Sequence, residues 1–97
     1  MAYKILPYSF LQAIKLNVTI KPSTNIFKKI DVFKKGNKVA SIGARGMNDY
    51  PTYMEKEKKG YYEKGYASKR RKLYKERHEK DRHVIGSAGY YADKILW

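Results

Sequence analysis

The sequence predicts an α+β domain: a small antiparallel β-sheet packed by one main helix and a short C-terminal helix. Three observations predict it. Residues 14–20, "IKLNVTI", alternate strictly; residues 27–43 form two β-rich runs around Gly36-Asn37; and from about Tyr62 to Arg82 the propensities are helical, with no glycine after Gly65 and no proline.

In "IKLNVTI", Ile14, Leu16, Val18 and Ile20 fall on one side and Lys15, Asn17 and Thr19 on the other, the period of a half-buried strand. Pro22 and the turn formers of "KPSTN" stop that strand by Lys21. Gly36-Asn37 accepts the positive φ values of a two-residue hairpin turn. In that register Lys34 faces Val39, Phe33 faces Ala40 and Asp31 faces Ile42, so both hairpin faces are mixed and each is expected to be partly covered. "GARGMNDYP" is a breaker-rich connector, and the charged segment after it has room for a short helical turn between Tyr53 and Lys59. The main helix follows at about 62–82. "GSAG", 86–89, breaks the chain, and "YYADKILW" supplies two helical turns ending in Ile95, Leu96 and Trp97. Residues 28–97 are expected to form the compact module. Residues 1–27 are expected to act as an N-terminal arm or added strand, because an alternating strand beside an exposed sheet edge suits β-augmentation.

Ninety-seven residues are one domain's worth of chain. With no cysteine there are no disulfides, thiolate metal sites or cysteine nucleophile, which fits a reducing compartment. The longest uncharged stretch, Ile5 to Ile14, is far below the roughly 20 residues a membrane span needs, and no secretory pattern precedes it, so a soluble intracellular chain is expected. Twenty-two Lys/Arg against nine Asp/Glu leave +13, which predicts attraction to nucleic acid, anionic membrane or acidic protein surface. The excess lies on both sides of Tyr50, so it is not a detachable basic tail.

The chemistry of catalysis is absent from the pattern. His78 and His83 are five apart, about 140° around a helix, unlike the i, i+4 pair of a zinc site. "GSAG" is not a nucleophile elbow, no phosphate-binding glycine loop occurs, and Asp49, Glu55 and Glu57 lie in a mixed-charge segment without nuclease spacing. A non-enzymatic chain with no cofactor, metal or catalytic residue is expected.

"SKRRKLYKERHEKDRH", 68–83, carries eight Lys/Arg and three acids. At about 100° per residue Tyr66, Ala67, Leu73 and Tyr74 form an apolar stripe expected to face the sheet. Arg70, Arg77 and Asp81 fall within it; Ser68, Lys69, Arg71, Lys72, Lys75, Glu76, Glu79, Lys80 and Arg82 fall outside, on the solvent side. Two guanidinium groups in an apolar stripe need a reason. Either Arg70 pairs with Asp81 or Asp49 and lays its stem over tyrosines, or one of the two arginines reaches a phosphate or a partner's carboxylate. The candidate polyanion- or partner-binding set is therefore Lys69, Arg70, Arg71, Lys72, Lys75, Arg77, Lys80 and Arg82. Ten tyrosines, most from Tyr50 onward, either build the core or interface or stack bases; Tyr74, Tyr90, Tyr91 and Trp97 are the aromatic contact candidates.

Three stretches, "DYP" at 49–51, "KRRKLYKERHEKD" at 69–81 and "GSAGYYADKILW" at 86–97, resemble a family of small, basic, uncharacterised proteins encoded by nucleocytoplasmic large DNA viruses. Asp49, Tyr50, Arg70, Arg71, Tyr74, Arg77, His78, Gly86, Gly89, Leu96 and Trp97 fall on that family's pattern, while Tyr90 and Tyr91 stand where relatives often carry Phe or Trp. The resemblance covers Lys28 to Trp97 loosely and Asp49 to Trp97 better. It implies a viral chain packaged in the particle: a minor capsid or core protein found in the virion, and in host cytoplasm or nucleus during assembly. Its implied partners are other virion proteins, such as capsid proteins. The alternative is a sequence-tolerant protein that binds DNA or RNA through phosphate contacts.

Overall fold

A computed structural model describes residues 3–97. The elements in chain order are α1 (Pro7–Leu16), β1 (Thr19–Pro22), β2 (Lys28–Lys34), β3 (Asn37–Ala44), α2 (Tyr50–Lys58), α3 (Tyr66–Arg77) and α4 (Ala88–Leu96). The α+β class is as predicted, with an antiparallel three-stranded sheet in the order β1-β2-β3.

Helix α1 replaces the first half of the expected strand 14–20. Pro7 opens it, where a missing N–H costs nothing, and Ser9, Gln12, Ala13 and Leu16 share the covered face at helical spacing. Asn17, in the left-handed region at φ 58°, ends it, and the Val18 N–H closes back on the Ala13 carbonyl at 3.1 Å. The alternation of Ile14 to Ile20 thus straddles a helix end and a strand start, which is why it mimicked one longer strand. In the expected segment 1–27, residues 1 and 2 lie outside the described residues. The rest carries α1 and β1, and β1 is a strand added to the β2–β3 hairpin, with Ile20 opposite Val32. Ala13 and Ile20 are buried in the common core.

The hairpin turn falls one residue earlier than Gly36-Asn37. Lys35 (φ 52°) and Gly36 (φ 80°) both adopt positive φ, and Lys34 pairs with Asn37. The register shifts with it: Phe33 faces Lys38, Val32 faces Ala40 and Ile30 faces Ile42, with an irregularity between Val32 and Phe33. Ile30, Val32 and Ile42 then make one fully buried face.

The main helix is shorter than 62–82 and packs on α2, while α4 covers the sheet at β3 and is flanked by α1. The physical reason is composition. Helix α4 supplies the apolar face of Tyr91, Ile95 and Leu96 that Ile30 and Ile42 require, whereas the inner face of α3 is aromatic and cationic. Helix α2 is longer than the expected turn because Asp49 caps it, accepting from the Thr52 N–H at 3.0 Å with Pro51 in the first turn. Ser87 caps α4 in the same way.

A polar knot closes the far side of the sheet. Asp31 is buried and accepts from Ser23 Oγ at 2.6 Å and Ser41 Oγ at 2.7 Å, with Lys38 at 3.7 Å. Burial pushes its carboxyl up, but the hydroxyls, the Thr24 N–H and Lys38 outweigh it and hold the group below its ordinary value. Its contribution to stability is therefore full above the unfolded value of about 4 and is lost as pH falls through the folded one. Denaturant melts from pH 7 down to 2 should show Ser41→Ala less stable by about 1–3 kcal/mol at neutral pH, with the gap from wild type narrowing in acid; a gap constant with pH would contradict this role for Asp31.

Gly43 of β3 lies against Leu96 of α4 and Lys29 of β2. Its φ is +78°, and a Cβ there would lie 2.7 Å from Leu96 Cδ1 and 3.0 Å from Lys29 Cδ. Gly43→Ala should destabilise the fold by about 2–4 kcal/mol through backbone strain and overpacking together, read as a lowered denaturant midpoint; an unchanged midpoint would mean that Leu96 gives way freely.

Candidate functional site

Helix α3 carries all but two of the candidate cations, Lys80 and Arg82 lying in the turn after it. Its N-terminus is closed from outside: Glu57 of α2 accepts from the Ala67 N–H at 2.8 Å. The N–H bonds, that of Ala67 foremost, hold the Glu57 carboxyl below its ordinary value. Held there, α3 turns Ala67, Arg70, Arg71 and Tyr74 inward, while Leu73 is exposed. The inward face is thus rotated by roughly 50° from the expected stripe, toward Arg71 and His78.

Guanidinium stacking accounts for the rotation. Arg70 lies over the Tyr53 ring at 5.6 Å and Arg71 over the Tyr50 ring at 4.8 Å, both rings belonging to α2. Tyr74 is sandwiched between Trp97 (4.2 Å, planes 6° apart) and His78 (4.3 Å, 29°). The expected pairing of Arg70 with Asp81 or Asp49 does not form. Asp81 is exposed beside His78, and Asp49 is buried against Lys29 Nζ at 2.8 Å and the Tyr3 hydroxyl, which donates to it at 2.8 Å. Lys29 also donates to the Met47 carbonyl. The Tyr3 hydroxyl is raised well above its usual value, by burial first and by the Asp49 charge second.

Lys75 and Arg82, expected on the solvent side, are drawn to Asp93 instead. This α4 carboxylate is fully buried; Lys75 Nζ donates to Oδ1 at 2.7 Å, and Arg82 lies 3.7 Å from Oδ2. Arg82 also grips Glu79 at 2.8 Å. Asp93 was not among the residues singled out from the sequence, although its spacing, three and four residues before Leu96 and Trp97, places it on their helical face.

The eight candidate cations therefore divide. Arg70, Arg71, Lys75 and Arg82 have partners within the fold. Lys69, Lys72 and Lys80 are exposed, and they form no ion pair or side-chain hydrogen bond with another described residue. Arg71, Lys72, Lys75 and Arg82 share an open groove on the outer side of α3 with Ser68, Glu76 and Glu79. Arg77, also exposed, lines with Arg70 a different cleft, toward the sheet. Of the aromatic candidates, Tyr91 and Trp97 are buried core, Tyr74 is inside the ring stack, and Tyr90 is half-buried against Tyr91 with Lys94 5.8 Å from its ring.

Among the described residues, no helix is long and apolar enough to cross a membrane. No family model, curated protein or solved structure matches the chain. The resemblance to the viral family stands on the quoted motifs alone.

Lys75→Gln should cost about 1–3 kcal/mol, because it leaves Asp93 buried beside a weaker partner, whereas Lys72→Gln should stay within about 0.5 kcal/mol of wild type. Thermal melts of the two variants decide it; equal midpoints would assign Lys75 to the surface.

Proposed function

We propose that the chain is a non-enzymatic structural component of a large DNA virus particle, a minor capsid or core protein, that docks through the outer face of α3. The observation that carries the docking half is the set of exposed, unpaired lysines Lys69, Lys72 and Lys80 beside the Arg71 groove, on a chain of net charge +13. The particle half rests on the resemblance of its motifs. A fold that spends Arg71, Lys75 and Arg82 internally while leaving these three lysines free retains charge where a partner can reach it.

A second feature favours acidic protein over genome as the partner. Phe10, Leu11 and Ile14 on α1 and Ile26 and Phe27 before β2 are large apolar side chains left 47–76% exposed. Other exposed apolar side chains, Met47 and Ile85 among them, lie outside this segment, and such residues mark protein contact more than phosphate contact. Residues 3–27 then act as the adhesive part of the module while packed on it.

Mass spectrometry of purified particles tests the placement: stoichiometric presence in shell fractions is expected, and absence from particles would overturn it. The nucleic-acid alternative has its own signature. Binding to duplex DNA would weaken with salt at a log-log slope of about −0.9 per phosphate neutralised. Changing Lys69, Lys72 and Lys80 together to Gln would make that slope shallower by about 2.7. A slope near zero in the wild-type protein would remove nucleic acid as partner.

A further inference from the structure

A second cationic feature lies on the opposite side of α3 from the docking lysines. Between α3, the start of β2 and the end of α4 runs a cleft of about 360 Å³, within the size range of small-molecule sites. Arg70 and Arg77 stand one heptad apart on its α3 wall, and Lys28 and Lys29 line the strand wall. The carboxylate in the lining is Asp49, and Lys29, Tyr3 and the Thr52 N–H already engage it. With four cationic side chains against one carboxylate, the cleft carries an excess of three positive charges.

The donors in this cleft are short of acceptors. Arg70 Nε is buried from solvent and has no hydrogen-bond partner, and the head group lies over the Tyr53 ring at 5.6 Å. The side chains of Arg77 and Lys28 form no hydrogen bond or ion pair with another described residue. The terminal N–H groups of Arg70, which also have no hydrogen-bond partner among the described residues, belong to a side chain that lines the cleft, where a ligand oxygen can serve them. Two guanidinium forks and a lysine facing one space match the several oxygens of a phosphoryl group better than the two of a carboxylate.

The same cleft is walled by rings. Trp97, Tyr74 and His78 form a continuous stack, and all three line the cleft. The stack ends at His78, whose side chain is 41% exposed. A planar group can extend it from there, as bases do on aromatic platforms.

We infer that this cleft binds a nucleotide unit, with the phosphoryl group held between Arg70, Arg77 and Lys28 and the base laid against the open end of the ring stack at His78. The unit is either a free nucleotide or the phosphorylated end of a strand, and the two share this chemistry. The site is independent of the docking face, because Lys69, Lys72 and Lys80 are not part of its lining.

Isothermal titration of the full chain with inorganic phosphate, a nucleoside monophosphate, and one short oligonucleotide with and without a 5′-phosphate tests this. One-to-one binding of the monophosphate is expected, tighter than inorganic phosphate. Arg77→Gln, at an exposed position, should weaken it about tenfold or more, the worth of a charged hydrogen bond. Arg70→Lys keeps the charge and loses the fork, and should also weaken it. Preference for the 5′-phosphorylated strand over the monophosphate would identify a strand end as the source, and the reverse a free nucleotide. The variant with Lys69, Lys72 and Lys80 changed to Gln should bind the monophosphate as wild type does, so that loss of docking and loss of this site read separately. Absence of binding by both the monophosphate and the phosphorylated strand overturns the inference. So does binding indifferent to Arg77→Gln, or inorganic phosphate binding as tightly as the nucleotide.

Discussion

The carboxylate of Asp93 is the interaction on which the helical half of this molecule turns. A fully buried charge has to be answered, and Lys75 and Arg82 answer it from α3 and the turn that follows. That demand ties α3 and the turn after it to α4. The cations near Asp93 are thereby held by it, Arg70 and Arg71 lie over tyrosine rings, and Lys69, Lys72 and Lys80 remain exposed. The domain meets its other buried acids in the same way, Asp49 with Lys29 and Asp31 with two serines, while Asp93 Oδ2 has cations at 3.7 and 3.9 Å and no hydrogen bond.

Aromatic rings do for α3 what aliphatic residues do for the sheet. Tyr53, Tyr50 and Tyr74 offer faces to guanidinium and imidazole groups, Trp97 backs Tyr74, and their rings bury area without requiring the helix to be apolar. This lets a helix as charged as "YASKRRKLYKER" pack on a neighbour. The cost is that packing and recognition draw on the same residue types, and only geometry separates an arginine at rest on a tyrosine from one free to reach out.

Much of this was legible in the residues, and what was not has a physical cause in each case. The β2–β3 hairpin and the class of fold follow from patterning, with the turn displaced by one because Lys35 tolerates positive φ beside Gly36. Helix α1 was hidden because Asn17, which ends it, sits in the middle of an alternating run. The orientation of α3 was misread because hydrophobic periodicity scores Leu73 as inward and Arg71 as outward, and cannot see a tyrosine waiting on another helix. Lys28 gave no sign of lining a cleft, since its neighbours there come from β3, α3 and the end of α4.

The sheet's inner face is roofed by α4, the last element in chain order, and α1, the first, is fastened to it where Ser9 Oγ donates to the Ile95 carbonyl at 2.9 Å across 86 residues of sequence. During synthesis, then, Ile30, Val32 and Ile42 are made long before the residues that shield them. The hairpin waits with its apolar side open until α4 has left the ribosome, and the nascent chain passes through a stage in which that surface is available to chaperones or to other copies of itself. The many lysines and arginines have a second use at that stage, because like charges hold unfinished chains apart while the core is still incomplete.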